Sequence, residues 1–190
     1  VCRSGIYYFN GNAQDVKRKS TMIALFVYIV LPLVFSGILH MVVVKFDVLP
    51  AIKVPVSTSL FGKNKTLRGF VFMTLFNSLM SFLIGFSGSY FAPAESLIYG
   101  AIFGLAYALA ELPNSYLKRR LGIISGEKSS KRPLLMMLFD KSDSAAGVSM
   151  VATLLLGLSI MEMLGLFVMS VLVHIFFSVL LVLVGIKKRF

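Results

Sequence analysis

The sequence is poor in the residues that hold soluble domains together through covalent or ionic links. It contains no tryptophan, a single cysteine (Cys2) and only 8 acidic residues among 190. A lone cysteine excludes a disulfide-stapled secreted scaffold, which requires pairs. Charged residues make up 14% of the chain, against roughly 25% in a typical soluble domain. A hydrophobic fraction of 57% excludes disorder and leaves an integral membrane protein.

Five apolar stretches are long enough to cross a bilayer, which takes roughly 20 apolar residues. Their approximate bounds are Thr21–Val44, Gly69–Phe91, Ala94–Leu112, Ala145–Leu164 and Gly165–Ile186. They predict one all-α membrane domain over 1–190, a bundle of about five transmembrane helices. Residues 1–20 form an N-terminal tail, and 45–68 and 113–144 form two long polar loops. Pro113 predicts that the helix breaks or kinks at Leu112, because proline lacks an N–H and disfavours helix at the residue before it.

Positive charge predicts how the bundle lies in the membrane. The two long loops and the C-terminal tail carry 15 of the 19 Lys and Arg residues, and the N-terminal tail carries the other 4. Cytoplasmic loops are enriched in these residues. We therefore expect a multi-pass plasma-membrane protein with the N-terminus outside and both long loops and the C-terminus in the cytoplasm. Anionic lipid and nucleotide explain the net charge of +11, and no nucleic-acid-binding motif is present.

The first polar cluster lies just before the second span. Within six residues it contains three cations, an amide and a hydroxyl, contributed by Lys63, Asn64, Lys65, Thr66 and Arg68. Such groups donate hydrogen bonds to phosphate oxygens. Lys65 and Arg68 share a face if the helix begins here. A juxtamembrane anchor for lipid headgroups is the more common use of this pattern.

A second cluster begins with a carboxylate at the end of the third span. If helix resumes after Pro113, Ser115 and Lys118 share a face, and Glu111 lies one turn before Ser115. A carboxylate, a hydroxyl and an ammonium in that order can bridge a metal and a phosphate. The alternative is a carboxylate at the membrane edge followed by a basic anchor.

A third cluster pairs two carboxylates at the entrance to the fourth span. Asp140 and Asp143 are three residues apart, on one face of a helix. They repel each other unless a cation joins them, and Mg²⁺ is held in this way by one or two carboxylates plus substrate phosphates. Helix capping is the alternative. His40 and His174 lie alone in apolar spans and indicate no zinc site.

The three clusters in this order resemble the CDP-archaeol synthase family, small relatives of the CDP-diacylglycerol synthases. Residues 61–70 resemble its FG-x-(N/G)-KTWRGF stretch, residues 115–123 its S-F-x-KRRLGI stretch, and residues 140–143 its DQ-x-D element. Two positions depart from the family pattern. Glu111 lies where the family commonly has Gly-Asp-Ala, and Leu67 replaces its tryptophan.

The resemblance implies a Mg²⁺-dependent CTP:lipid-phosphate cytidylyltransferase of phospholipid biosynthesis that makes a CDP-activated lipid and pyrophosphate. Its partners would be CTP, a membrane lipid phosphate and the lipid bilayer. Metal ligands would be Glu111, Asp140 and Asp143. Catalytic residues would be Lys118, Asp140 and Asp143. Substrate-binding residues would be Asn64, Lys65, Arg68, Ser115 and Lys118.

Other functions and assemblies stay open at this point. A non-catalytic lipid-binding or assembly protein on the same scaffold is the main alternative, motivated by the departures at Glu111 and Leu67. A small transporter would need a polar path through the bundle, and the apolar spans do not provide one. Glycines at helical spacing can seat a neighbouring helix and leave room for a homodimer; they are Gly85, Gly88, Gly100 and Gly104.

Overall fold

The computed structural model of the protein describes residues 22–87, 90–125 and 133–185. These ranges contain five long helices: α1 (Met22–Lys45), α2 (Leu67–Gly85), α3 (Pro93–Arg120), α4 (Pro133–Leu156) and α5 (Ile160–Leu183). They contain no β-strand, so the expected all-α membrane class is confirmed. The N-terminal tail predicted over 1–20 lies outside the described residues.

Four of these helices, α1, α2, α3 and α5, are long and apolar enough to cross a membrane. Helix α4 has 24 residues, the same length as α5. It differs in carrying Asp140, Lys141 and Asp143 in its first half. The charged groups of the third cluster therefore lie on a helix that continues into the bundle, and not in a loop before it.

The predicted loop over 113–144 is wrong in its bounds, because most of it is helical. Helix α3 continues through Pro113 to Arg120, so of the predicted break or kink at Leu112 the break is wrong. Helix α4 already begins at Pro133. Asn114 and Lys118, in the part of α3 that follows the proline, both donate to Asp140 on α4. These contacts between helices offset the hydrogen bond that proline cannot make.

The boundary predicted at Gly165 is wrong as well, since the chain turns between Leu156 and Ile160. Gly157 has φ +63, a left-handed conformation that suits glycine at a helix end. Ser159 then caps α5. Its hydroxyl accepts from the Glu162 N–H at 3.3 Å, and the Glu162 carboxylate accepts from the Ser159 N–H at 2.8 Å. Glu162 is therefore part of the helix cap. Ser159 and Glu162 form the sequence pattern of a capping box, which is hard to notice within a continuous apolar run.

The connection between α1 and α2 folds back onto the start of α2. The Val56 N–H donates to the Lys65 carbonyl, and the Leu67 N–H donates to the Val54 carbonyl, both at 2.9 Å. Lys65 precedes Leu67, the first residue of α2, so it does not share a helical face with Arg68. Arg68 is buried, at 2% exposed, and its guanidinium holds the loop in place. It donates to Asp47 Oδ1 at 2.7 Å.

Helices α2 and α3 approach closely because α3 presents glycines to α2. A Cβ atom at Gly104 would lie 2.6 Å from the Met73 carbonyl oxygen, and one at Gly100 would lie 2.7 Å from the Asn77 carbonyl oxygen. The Asn77 amide, which is buried, donates to the Gly100 carbonyl at 2.7 Å. The helix that these glycines seat belongs to the same chain, so they no longer favour a homodimer. Gly88 lies outside the described residues.

Candidate functional site

A cavity of about 890 Å³ lies at the end of the bundle where α1 ends and α2 begins. All eight residues predicted from the sequence to bind substrate or metal line it: Asn64, Lys65, Arg68, Glu111, Ser115, Lys118, Asp140 and Asp143. They come from the loop before α2, from α2 itself, from the last part of α3 and from α4. The three polar clusters, far apart in the sequence, therefore meet in one place.

The two aspartates of α4 are joined by an amide from α3. Asn114 Nδ2 donates to Asp140 Oδ1 at 2.7 Å and to Asp143 Oδ2 at 2.8 Å. One further donor reaches each carboxylate. The Ser144 N–H donates to Asp143 Oδ1 at 2.6 Å, and the Lys118 ammonium forms an ion pair with Asp140. The shared amide and the lysine offset the repulsion expected between two neighbouring carboxylates.

The three cations predicted to bind phosphate each pair with a carboxylate of the chain. Lys65 pairs with Glu111 and Lys118 with Asp140, and both contacts lie in the cavity. Arg68 pairs with Asp47 at 2.7 Å. An incoming phosphate would replace the carboxylate at Lys65 or Lys118, and the carboxylate released in this way would need another cation.

Asp47 lies outside the membrane-spanning helices, and its charge depends on this pairing. Lys53 and Arg68 both donate to its Oδ1, at 2.9 and 2.7 Å. The hydrogen bond from Lys53, followed by that from Arg68, lowers the pKa of Asp47 below its ordinary value. The carboxylate therefore stays charged and holds the loop that covers the cavity.

The remaining two predicted residues differ in how far they reach into the cavity. The Ser115 hydroxyl donates to the Glu111 carbonyl of its own helix at 2.9 Å. Asn64 is exposed and lies on the loop that borders the cavity. The loop bends at Gly62, whose φ is +84, and a Cβ atom there would lie 2.9 Å from Ser125 Oγ. Glycine at this position lets the first loop approach the residues that follow α3.

The donor set of α4 fits a small, hard cation. In the part of the chain that the structure describes, no three His, Cys, Asp or Glu side chains are grouped as metal ligands. Asp140 and Asp143 do converge, because each presents an oxygen to the same amide nitrogen, at 2.7 and 2.8 Å. Two carboxylates combined with substrate phosphates form the set that Mg²⁺ prefers. Glu111, which pairs with Lys65, remains a predicted third ligand.

Several cavity residues were missed by the sequence analysis. Asn114 is not among the residues predicted from the sequence, yet its amide links both aspartates. His40 from α1 and His174 from α5 were assigned to the apolar interior, and both line the cavity. Lys141 lines it too, although it is 4% exposed. Their positions depend on how the first and last helices pack, which spacing within one cluster does not indicate.

Comparisons with known proteins identify no relative: no family model, no curated protein and no solved structure matches the chain. The description of the fold and the site therefore depends on the sequence and structure of this chain alone. They define a helical membrane protein whose three polar clusters meet in a cavity at one end of the bundle.

Proposed function

We propose that the protein is an integral-membrane CTP:lipid-phosphate cytidylyltransferase. One observation carries the proposal: a single cavity is lined by all three polar clusters and continues between apolar side chains of α1 and α5. Lysines and carboxylates suit a nucleoside triphosphate with its divalent cation. An adjoining apolar wall suits a lipid chain. A reaction between CTP and a lipid needs both in one place.

The proposed reaction joins a lipid phosphate monoester to the nucleotide. An oxygen of the lipid phosphate attacks the α-phosphorus of CTP and forms the new P–O bond. The bond between the α-phosphorus and the bridging oxygen breaks, and pyrophosphate leaves with that electron pair. The products are a CDP-activated lipid and pyrophosphate. Such transfers depend on positioning and charge neutralisation more than on covalent help from the protein.

The cavity residues would perform this positioning by exchanging partners. Lys65 and Lys118 would turn from their carboxylates to the phosphates, while Asn64 and Ser115 add hydrogen bonds. Asp140 and Asp143, with Glu111 as the predicted third ligand, would hold Mg²⁺. The metal ion would supply neutralisation of the nucleotide phosphates. Arg68 would bind phosphate only by releasing Asp47, so its first role is to hold the loop.

The orientation that we propose places the cavity on the cytoplasmic side. The distribution of Lys and Arg supports it, because 15 of the 19 lie on the side of the two loops and the C-terminal tail. Helices α1 and α5 both run towards the cavity end, since Lys45 and Leu183 end them there and the Lys45 ammonium donates to the Gly185 carbonyl at 3.1 Å. CTP is available in that compartment.

The test is synthesis of CDP-lipid by the purified protein. CTP and Mg²⁺ are supplied with phosphatidic acid or its ether-lipid analogues in mixed micelles, and the product is identified by mass spectrometry. We expect a CDP-lipid that requires Mg²⁺. The variant Asp143→Asn should lose at least tenfold in rate, since it removes a carboxylate from the metal set. The matched control Glu95→Gln removes a carboxylate that caps α3 at the opposite end of the bundle and should retain the parent rate.

The proposal fails if no acceptor yields CDP-lipid and Asp143→Asn behaves like the parent. A non-catalytic lipid-binding or assembly protein is then favoured by one observation, the ion pairing of Lys65, Arg68 and Lys118 within the chain. These three cations are therefore paired without any substrate. In that case CTP with Mg²⁺ should not raise the thermal stability in detergent, whereas a cytidylyltransferase should be stabilised by the two together.

A further inference from the structure

Lys141 is a buried cation that the proposed reaction leaves unused. It lies between the two aspartates in sequence but extends away from them, towards α5. Its ammonium donates to the Ser178 hydroxyl, and the two residues are 4% and 3% exposed. Burying a lysine charge is costly, so a lysine at this depth is more often functional than incidental.

The surroundings of Lys141 place it where the cavity changes from polar to apolar. On one side lie the carboxylates and lysines of α3 and α4. On the other side the cavity continues between α1 and α5. Its apolar lining there is Val34, Ile38, Met41, Val173, Phe177 and Leu181, and the same helices add the polar side chains of His40, Ser170, His174 and Ser178. The apolar residues recur every three or four positions on each helix, so they form two apolar stripes that border the same space.

This junction matches the shape of a lipid phosphate. Such a molecule has one compact, doubly charged group attached to long apolar chains. If the chains lie along the stripes, the phosphate can reach the Lys141 ammonium, which is held beside the α5 stripe by Ser178, between Phe177 and Leu181. A buried ammonium attracts such a group more strongly than an exposed one, because less water screens it.

We infer that Lys141 binds the phosphate of a lipid phosphate monoester whose chains lie between α1 and α5. Lys141 thereby distinguishes this lipid from neutral lipids with the same chains. The inference rests on the proposed function for its choice of lipid, but it concerns binding and does not require turnover. Lys65 and Lys118, whose side chains are 25% and 18% exposed, are left for the nucleotide.

The experiment compares lipids that differ only in the phosphate. Thermal unfolding of the purified protein is measured in detergent with phosphatidic acid, with diacylglycerol of the same chains, and separately with CTP and Mg²⁺. We expect the parent to be stabilised by phosphatidic acid and not by diacylglycerol. Lys141→Met should weaken phosphatidic acid binding roughly tenfold or more, as loss of a charge-assisted hydrogen bond does. It should leave the effect of CTP unchanged.

Two variants separate this role from a structural one. Arg120→Met removes one positive charge at an exposed residue that does not line the cavity, and it should behave like the parent. If Lys141→Met fails to fold, as judged by its helical circular dichroism, Lys141→Gln keeps a donor for Ser178 without the charge and should show the same loss.

Several outcomes overturn the inference. It is wrong if the charge-free variant keeps the full preference for phosphatidic acid over diacylglycerol. It is also wrong if the parent has no such preference, or if the variant loses the response to CTP instead, because Lys141 would then serve the nucleotide. If the parent forms CDP-lipid, the Lys141 variant should have a higher KM for the lipid and an unchanged KM for CTP. A protein without turnover but with this binding pattern would refute the proposed function alone.

Discussion

At the residue scale, the amide of Asn114 determines how two carboxylates coexist in one cavity. It contacts both Asp140 and Asp143, within 2.8 Å of each. It lies on α3, whereas the carboxylates lie on α4, so the same contact also joins the two helices. An amide that donates to two acids holds one oxygen of each within reach of a common group.

Asn114→Ala should lower both activity and stability. The variant removes the shared donor and leaves the carboxylates facing each other, so the free energy of unfolding should fall by about 1–3 kcal/mol. CDP-lipid synthesis should fall at least tenfold. Ser142→Ala, on the same helix as the aspartates but outside the cavity, is the control and should change neither. Equal unfolding curves for Asn114→Ala and the parent would contradict the bridging role.

The Asp47 ion pairs predict a dependence of stability on pH. Because Lys53 and Arg68 lower the pKa of Asp47 in the folded protein, the pairs contribute stability above the ordinary carboxyl pKa of about 4. That contribution is lost as the pH falls through the lowered value. The parent should therefore lose melting temperature more steeply than Asp47→Asn between about pH 5 and pH 3. Thermal unfolding across this range tests it, and parallel curves would show that the pairs add nothing.

At the element scale, the contact between α2 and α3 sets where the first cluster meets the second. Gly100 and Gly104 let the two backbones approach, with Met73 and Asn77 on the opposite side. This contact places Glu111, two turns after Gly104, beside Lys65, which precedes α2. The ion pair of the cavity thus depends on glycines that lie inside the membrane-spanning part.

Gly104→Ala should separate these helices. Its Cβ would meet the Met73 carbonyl oxygen at 2.6 Å, a backbone atom that cannot move without the helix. Overpacking of this kind typically costs about 1–3 kcal/mol. The matched control is Gly37→Ala in α1, where nothing lies within 4 Å of the added methyl group. It should be neutral or stabilise slightly. Equal melting temperatures of the two variants would contradict the packing argument.

Helix existence could be predicted from the sequence, whereas several helix ends could not. Apolar runs of membrane length can be recognised from composition, and the three polar clusters can be recognised from their residue types. The prediction of a helix break at Pro113 failed because it considered only the hydrogen bond that proline loses within its own helix. The contacts of Asn114 and Lys118 with Asp140 on α4 outweigh that loss, and the local sequence does not reveal them. Lys141 and the histidines of α1 and α5 joined the site only through packing between distant helices.

At the scale of the whole molecule, the three polar clusters of the described residues lie at one end of the bundle, and the apolar part of their cavity lies between α1 and α5. The loop before α2 and the residues after α3 meet at Gly62 and Ser125, which places the first and second clusters at this end together. The opposite end has the short turns that precede α3 and α5, capped by Glu95 and Glu162. Because the polar clusters lie at one end, the cavity opens to the aqueous compartment on that side of the membrane.

Site-directed labelling should show which compartment that is. In a Cys2→Ser background, Ser59→Cys places a thiol on the cavity side and Ala94→Cys places one at the opposite end; both positions are exposed. In intact cells an impermeant maleimide should label Ala94→Cys and spare Ser59→Cys, because the loops are proposed to face the cytoplasm. Permeabilised cells provide the control, in which both should react. The reverse pattern would place the cavity outside.

The transfer of label from CTP tests the central claim most directly. Purified protein is incubated with phosphatidic acid, Mg²⁺ and CTP that carries ³²P on either the α- or the γ-phosphorus, and the lipid is then extracted. Cytidylyl transfer predicts that the α-label enters the lipid phase and that the γ-label stays in the aqueous phase as pyrophosphate. A γ-label in the lipid, or no label from either nucleotide, would contradict the account.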